Sequence, residues 1–252
     1  MESSKNKIYK FETPLIEGTM IKRNSQFTAT VKVNGEVLTA HVATTNRIGD
    51  VKIDNIPCLL SYHSEKTRKY NYDVDAVLLS DDDNWVGINQ ILSNKLVEFF
   101  LKNNQLDKMI KGEQISREVK LGKSKIDFKV DDTYIEVKTP LPIINVKYGK
   151  NIKTRPCSPF SGTERFEKHI KELTEALKGD EKAIFLFVNQ YIPTEMKPHL
   201  KSTNKKEKEI KKIIKEAVKY GIEFWTLDLK FSPNGVEFYD LNETTEFALN
   251  YY

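Results

Sequence analysis

The chain has 252 residues, 39% hydrophobic and 30% charged, with a formal net charge of +4. These values fit a folded protein of one large or two smaller domains, and exclude both a disordered chain and one ruled by a strong basic field. Two distant cysteines, Cys58 and Cys157, argue against a zinc cage and fit a reducing compartment. The polar, lysine-bearing N-terminus predicts no signal peptide, and no run reaches the apolar length of a membrane span. The expected setting is the cytoplasm.

In chain order, the first hundred residues read as β structure. Short apolar or alternating runs cover Thr19 to Lys22, Phe27 to Val33, Val37 to Val42, Ile56 to Tyr62, Tyr72 to Leu79 and Trp85 to Ile88. Asn34-Gly35 is a strong two-residue hairpin signal between the second and third runs. Strands at this spacing predict a small barrel or sandwich, and a five-stranded OB-like barrel fits. Leu96, Phe99 and Phe100 then recur at helical spacing, with Ser93 or Asn94 as the expected cap, and a domain boundary is placed there. The remainder alternates. Strands are expected at Ile115 to Lys120, Ile126 to Val130, Tyr134 to Lys138, Lys182 to Asn189 and Ile222 to Leu229, with helices at Thr163 to Lys178 and Lys205 to Tyr220. That order implies a mixed sheet flanked by helices. The lysine-dense tract from Lys201 to Lys219 keeps an apolar stripe at Ile210, Ile213, Ile214 and Ala217, so it reads as a solvated amphipathic helix. Asn242 to Tyr252 reads as a loosely held tail.

The most informative stretch is the pair of strands joined by Asp131-Asp132. With a two-residue loop, Val130 pairs with Thr133, and counting back sets Asp127 opposite Glu136. Strand alternation puts Ile126, Phe128 and Val130 on one face, and directs Tyr134, Glu136 and Lys138 outward on the second strand. Two carboxylates in cross-strand contact repel. A hard divalent cation such as Mg²⁺ between them would remove that repulsion, with Lys138 near enough to position a water or a phosphate. The same residues also describe an ordinary charged hairpin face.

The ordered set of KRNSQFTATV, TAHVATTNR around His41, EKTRKY, WVGIN, NKLVEF, REVKLGKSKIDF, YIEVK and TERFEKHIKEL resembles the sugar fermentation stimulation protein (SfsA) family over nearly the whole chain. The resemblance implies an α+β protein in two domains. Residues 1–90 would be an OB-like β-barrel that binds nucleic acid, and residues 91–252 an α/β domain of the PD-(D/E)XK nuclease type. Carried over residue by residue, the acidic pair falls on Asp127 and Glu136 and the lysine on Lys138. Glu118 is either a third acid or a surface partner for Arg117 or Lys120. Arg165 and His169 sit one helical turn apart. The resemblance places them by the active site, where Arg165 would hold a phosphate and His169 would bind substrate or assist proton transfer. The other reading of His169 is that it borders the Phe166–Ile170–Leu173 stripe.

Two segments depart from the family pattern. Ser158, Pro159, Phe160 and Ser161 stand where relatives carry Phe-Pro-Asp-Ala, so the usual aspartate is missing. Ala43, Thr44, Thr45 and Asn46 stand where Pro-Asn-Thr-Gly is usual. The basic run Lys147, Lys150, Lys153 and Arg155 could supply phosphate contacts instead.

The expected activity is therefore a Mg²⁺- or Mn²⁺-dependent nuclease acting on DNA or RNA. Asp127 and Glu136 would hold the metal, and Arg23, Phe27, Arg47 and Lys69 are candidate strand contacts. Phe27 sits in an alternating strand, where an aromatic usually packs in the core. The rival expectation is a non-catalytic DNA-binding protein or transcriptional regulator on a nuclease-like fold; a phosphodiesterase for a small nucleotide is a third. No membrane partner is expected, and oligomeric state is left open, a homodimer included.

Overall fold

A computed structural model describes residues 7–44, 47–122, 124–142, 144–155, 164–177, 182–194 and 205–251. Its strands join in one continuous sheet. In the first half these are β1 (Tyr9–Lys10), β2 (Ile16–Arg23), β3 (Thr28–Val33), β4 (Glu36–His41), β5 (Asp54–Tyr62), β6 (Tyr72–Leu78) and β7 (Trp85–Gly87). Asn34 and Gly35 both take positive φ, as a two-residue turn between twisted strands requires, and Val33 pairs with Glu36 across it. Strands β2 to β6 form a ring, closed where His41 at the end of β4 pairs in parallel with Asp73 near the start of β6. Met20, Val31, Ile56, Leu60 and Val74 fill it, joined by Leu141, Ile144, Val146 and Tyr191 from the second half.

β7 carries the sheet out of the ring by pairing with both β6 and β12 (Ile222–Ser232). Its Gly87 donates its N–H to the Gln190 carbonyl at 2.8 Å, and a Cβ there would lie 2.6 Å from the Gln190 Cβ. Any larger residue would prise the halves apart.

The second half comprises α1 (Gln90–Lys102), β8 (Ile115–Leu121), β9 (Ser124–Val130), β10 (Thr133–Lys138), α2 (Glu164–Ala176), β11 (Lys182–Asn189), α3 (Lys205–Lys219), β12, β13 (Gly235–Glu243) and α4 (Thr245–Tyr251). β10, β11 and β12 are parallel neighbours, joined through α2 and α3, as parallel pairing requires. Leu92, Leu96, Val97 and Phe100 of α1 pack on one face with Phe128, Ile135 and Val137. On the other, Ile170 and Leu173 of α2, Ile210 and Ile214 of α3 and Ala248 of α4 cover Tyr134, Phe185 and Phe224. The apolar stripes expected for α2 and α3 are the faces that pack.

Four expectations are corrected. α1 starts at an Asn89 cap, whose side chain accepts from the N–H groups of Ile91 and Leu92, rather than at Ser93 or Asn94; Ser93 is buried inside the helix. Phe27 is 48% exposed, because it lies in the turn before β3 and outside the strand's alternation. The Asn242 to Tyr252 tail is the end of β13 and α4, held by buried Ala248. Finally β1, which pairs with β13, was not foreseen. Among the described residues no helix is long and apolar enough to cross a membrane.

Candidate active site

β10 looks half-exposed in sequence, yet Tyr134, Ile135, Glu136 and Val137 are all buried, Glu136 to 1% exposure. The cause is non-local. β11 pairs with β10 in parallel and brings α2 across the face expected to meet solvent, which corrects the outward placement of Tyr134 and Glu136. The carboxylate of Glu136 thus lies beside His169 of α2, itself buried.

A carboxylate held out of water is costly unless paired and hydrogen-bonded. Oε1 of Glu136 accepts from the Lys138 Nζ and the His169 Nδ1, and because a carboxylate only accepts, Nδ1 carries the proton. Lys138 Nζ and His169 Nδ1 are 3.4 Å apart, so both donors crowd one oxygen. Burial raises the Glu136 pKa, but the His169 bond and the Lys138 charge outweigh it and hold the group below its ordinary value. Glu136 is therefore kept ionised inside the protein. Its other oxygen, Oε2, is buried with no hydrogen-bond partner.

Asp131 takes the left-handed conformation that Asp tolerates, and the two-residue loop sets the expected register. Val130 pairs with Thr133, Lys129 with Tyr134 and Phe128 with Ile135. The ladder then ends, at the point where Asp127 would meet Glu136. Instead the Asp127 side chain takes over. Its Oδ2 accepts from the Val137 N–H at 2.9 Å and its Oδ1 from Asn94 Nδ2 of α1 at 2.8 Å. On the other side of β9 the ladder to β8 skips Glu118, which has φ +50°. The pleat does not carry through. Ile126 joins the α2–α3 core while Phe128 and Val130 join the α1 core, so the expectation that all three share a face is corrected. Burial, followed by the charge of Glu136, raises the Asp127 pKa.

The site thus holds two mutually repelling carboxylates, one with an orphaned buried oxygen, and a fixed ammonium. Among the described residues no three His, Cys, Asp or Glu side chains converge as a ready-made cage. A cation here would complete its shell with water and substrate oxygens, as Mg²⁺ commonly does.

Of the residues expected at the site, the structure gathers Asp127, Glu136, Lys138 and His169. Glu118 is exposed on β8 and salt-bridged to Lys125 at 3.2 Å, so it is a surface partner there rather than a third acid; Arg117 pairs instead with Glu98. The side chain of Arg165 lies outside the described residues, as do Cys157 and Ser158 to Ser161. Arg23 donates to the carbonyls of Ser25, Gln26 and Thr44, which ties loops together. Arg47 is partly buried, and exposed Lys69 sits 5.4 Å from the centre of the Tyr70 ring. The basic run lies against the ring, where Arg155 N–H donates to the Asp50 carbonyl and Val51 bridges to Thr154. Cys58 is buried and its thiol is pushed up to about 12, which makes it inert. Asn94 was missed as a site residue. Its signal was a half-buried polar residue beside buried Ser93, at the edge of the helix's apolar face.

Comparisons with known proteins agree with one another. Residues 21–88 match the family model of the SfsA N-terminal OB domain, and residues 91–235 that of the sugar fermentation stimulation protein RE domain. A sugar fermentation stimulation protein homolog of Synechococcus sp. strain JA-2-3B'a(2-13) is 30% identical over 90% of this chain and 92% of its own. The homolog of Natranaerobius thermophilus is 28% identical over 92% of this chain and 94% of its own. In fold, the chain resembles SfsA of Pyrococcus furiosus, solved in complex with Ca²⁺, with a TM-score of 0.70 at 20% identity, covering 94% of this chain and 97% of that one. With both halves matched in order and nearly full length aligned, the chain belongs to the sugar fermentation stimulation protein family.

Proposed function

We propose that this protein is a divalent-cation-dependent nuclease, hydrolysing phosphodiester bonds of DNA or RNA on a PD-(D/E)XK nuclease-like domain. The observation that carries the reading is the buried, unpartnered Oε2 of Glu136 beside an Asp127 whose pKa that same carboxylate raises. Buried polar atoms without partners are rare in native proteins, and a bound ion is one way to satisfy them. Asp127 and Glu136 would hold Mg²⁺ or Mn²⁺. The Ca²⁺ complex of Pyrococcus furiosus SfsA supports an oxygen-loving cation in a protein of this fold.

Such an ion supplies Lewis-acid charge to the scissile phosphate and lowers the pKa of a bound water. The chain's own residues do the rest. Asn94 and the Val137 N–H fix the Asp127 carboxylate on both oxygens, which leaves its remaining lone pairs directed. His169 pins Glu136 from the α2 side, as an outer partner that orients a ligating group. Lys138 is about one-fifth exposed at its side chain, so it holds Glu136 and still presents N–H donors to a phosphate oxygen or an attacking water.

The test is cleavage of labelled single- and double-stranded DNA and RNA with Mg²⁺, Mn²⁺ or EDTA, beside an Asp127→Ala variant. Cation-dependent cleavage lost in the variant is expected. Equal binding by both proteins, with no cleavage under any condition, would favour the non-catalytic DNA-binding alternative instead.

A further inference from the structure

The closure of the ring does more than join two strands. At that point Asp73 is flanked by His41 on β4 and by Ser61 on β5. Its carboxylate gathers three donors: Arg68 at 2.6 Å, His63 Nε2 at 3.1 Å and His41 Nδ1 at 3.2 Å. A single ion pair would suffice to hold a strand end. Here an arginine and two histidines converge on one acid, and their side chains stay between 26% and 32% exposed. They face a cleft of about 420 Å³ between the ring and α1, within the range of small-ligand sites.

The rest of the lining has a different chemistry. Tyr62 and Ile91 are 49% and 66% exposed, and both line the cleft, as does exposed Lys95. Exposed apolar groups brought together on one concave surface mark a binding site. The Tyr62 ring, 5.2 Å from the ring of Tyr72, is half exposed and can take a planar ring, and Arg68, held by Asp73, presents its remaining N–H donors as a planar fork suited to phosphate. The acid charge of Asp73 is matched by its three donors. Asp75 is buried, which raises its pKa, and Glu12 is a further acid on the wall.

α1 links this cleft to the acidic site. Lys95 borders the cleft while its sequence neighbour Asn94 holds Asp127, so the two sites lie on adjacent sides of one helix, itself about 10–12 Å across. We propose that the cleft is a nucleoside-phosphate subsite that takes one unpaired nucleotide of the strand to be cut, its base stacked on Tyr62 and its phosphate on Arg68 and Lys95. This rests on the nuclease reading for the identity of the strand, and it makes single-stranded nucleic acid the substrate class. A base paired in a duplex cannot offer its face to Tyr62 without leaving the stack.

The test uses the full chain carrying Asp127→Ala, in EDTA, so that binding is read without cleavage. The probe is a fluorescent oligothymidylate followed by anisotropy. Tyr62→Ala in that background is expected to weaken binding about ten-fold, the scale of one lost base–aromatic stack. Lys95→Ala, an exposed helix position that leaves the fold intact, is expected to lower the slope of log affinity on log salt by about 0.7, the value for one phosphate contact on a single strand. Tyr239→Ala, which removes an exposed aromatic outside the cleft, is the control and should bind as the parent does. Three results would overturn the proposal: no binding by the parent, binding indifferent to both Tyr62 and Lys95, or equal binding of a duplex of the same length. Displacement of the probe by thymidine monophosphate as readily as by unlabelled strand would also overturn it, in favour of a free-nucleotide site. Cleft-dependent binding without cleavage by the unmodified protein would remove the nuclease reading and leave the subsite. Cleavage with cleft-independent binding would do the reverse.

Discussion

Two pairs of neighbouring carboxylates in the sheet settle their repulsion differently. Asp228 of β12 pairs across the ladder with Asp240 of β13, next to a shift in register. Burial pushes Asp228 up to about 6, and Asp240 adds to that against the hydrogen bond Asn189 donates. Asp240 is exposed, and no cation stands close to either acid among the described residues. This pair relaxes by holding a proton up to about pH 6 and by turning one member to water. In the second pair burial, and then Glu136, raise the Asp127 pKa, while Lys138 and His169 keep Glu136 charged under α2. Like charges on adjacent strands are therefore not a signature of a cation site. The proposed cation site rests instead on Glu136 staying ionised in a dry place with one oxygen unpartnered.

The comparison can be broken at either pair. The largest effect is expected at Glu136→Gln, which keeps the shape but removes the charge. Cleavage should fall by at least ~10³-fold, the scale of a lost metal contribution of several kcal/mol, whereas Asp228→Asn should leave it within about two-fold. Next is stability. Ca²⁺ or Mn²⁺ at about a hundred times its dissociation constant should raise stability by about 2.7 kcal/mol, seen as roughly 5–10 °C in a thermal melt, and the shift should vanish in Asp127→Ala. His169→Ala should weaken cation binding or cleavage by about 10–100-fold, as loss of an outer partner does; an unchanged titration would show that Lys138 alone fixes Glu136.

The smallest effect sharpens the other pair. Asp228 has a folded pKa of about 6, above its unfolded value, so its proton stabilises the native state below about pH 4 and that stabilisation is lost as pH rises through 6. Asp228→Asn removes the loss. The variant should gain about 1–2 kcal/mol over the parent at pH 7.5 in urea unfolding, and the gain should shrink towards zero at pH 4.

The sequence carried the local features well. Asn34-Gly35 and Asp131-Asp132 located two of the hairpins and their registers, and the apolar stripes of α2 and α3 named the packing faces. Failures occurred where partners came from afar. Glu136 read as solvent-facing because nothing near it announces that β11 will bring α2 over it. Glu118 entered only through the family resemblance, and its positive φ turns that stretch of β8 away from regular pairing. The Asn89 cap was passed over for Ser93, since either residue type caps a helix and only burial separates them. Likewise, His41, Arg68 and Asp73 lay in recognisable segments, but their meeting depends on a ring closure that local patterning does not encode.

The short pairing of β1 with β13 sets Tyr9 against Val236, residues from opposite ends of the chain. Leu15 N–H also donates to the Pro233 carbonyl at 2.8 Å. During synthesis the first segment leaves the ribosome long before its partner exists. The pairing of β1 with β13 and the aromatic seam of Tyr9, Phe11 and Phe231 therefore close the longest loop in the sheet. Contacts of such long sequence separation slow folding, because loop closure precedes any reward from pairing. Refolding should accordingly show a late phase confined to this seam, after the ring and the central strands have assembled.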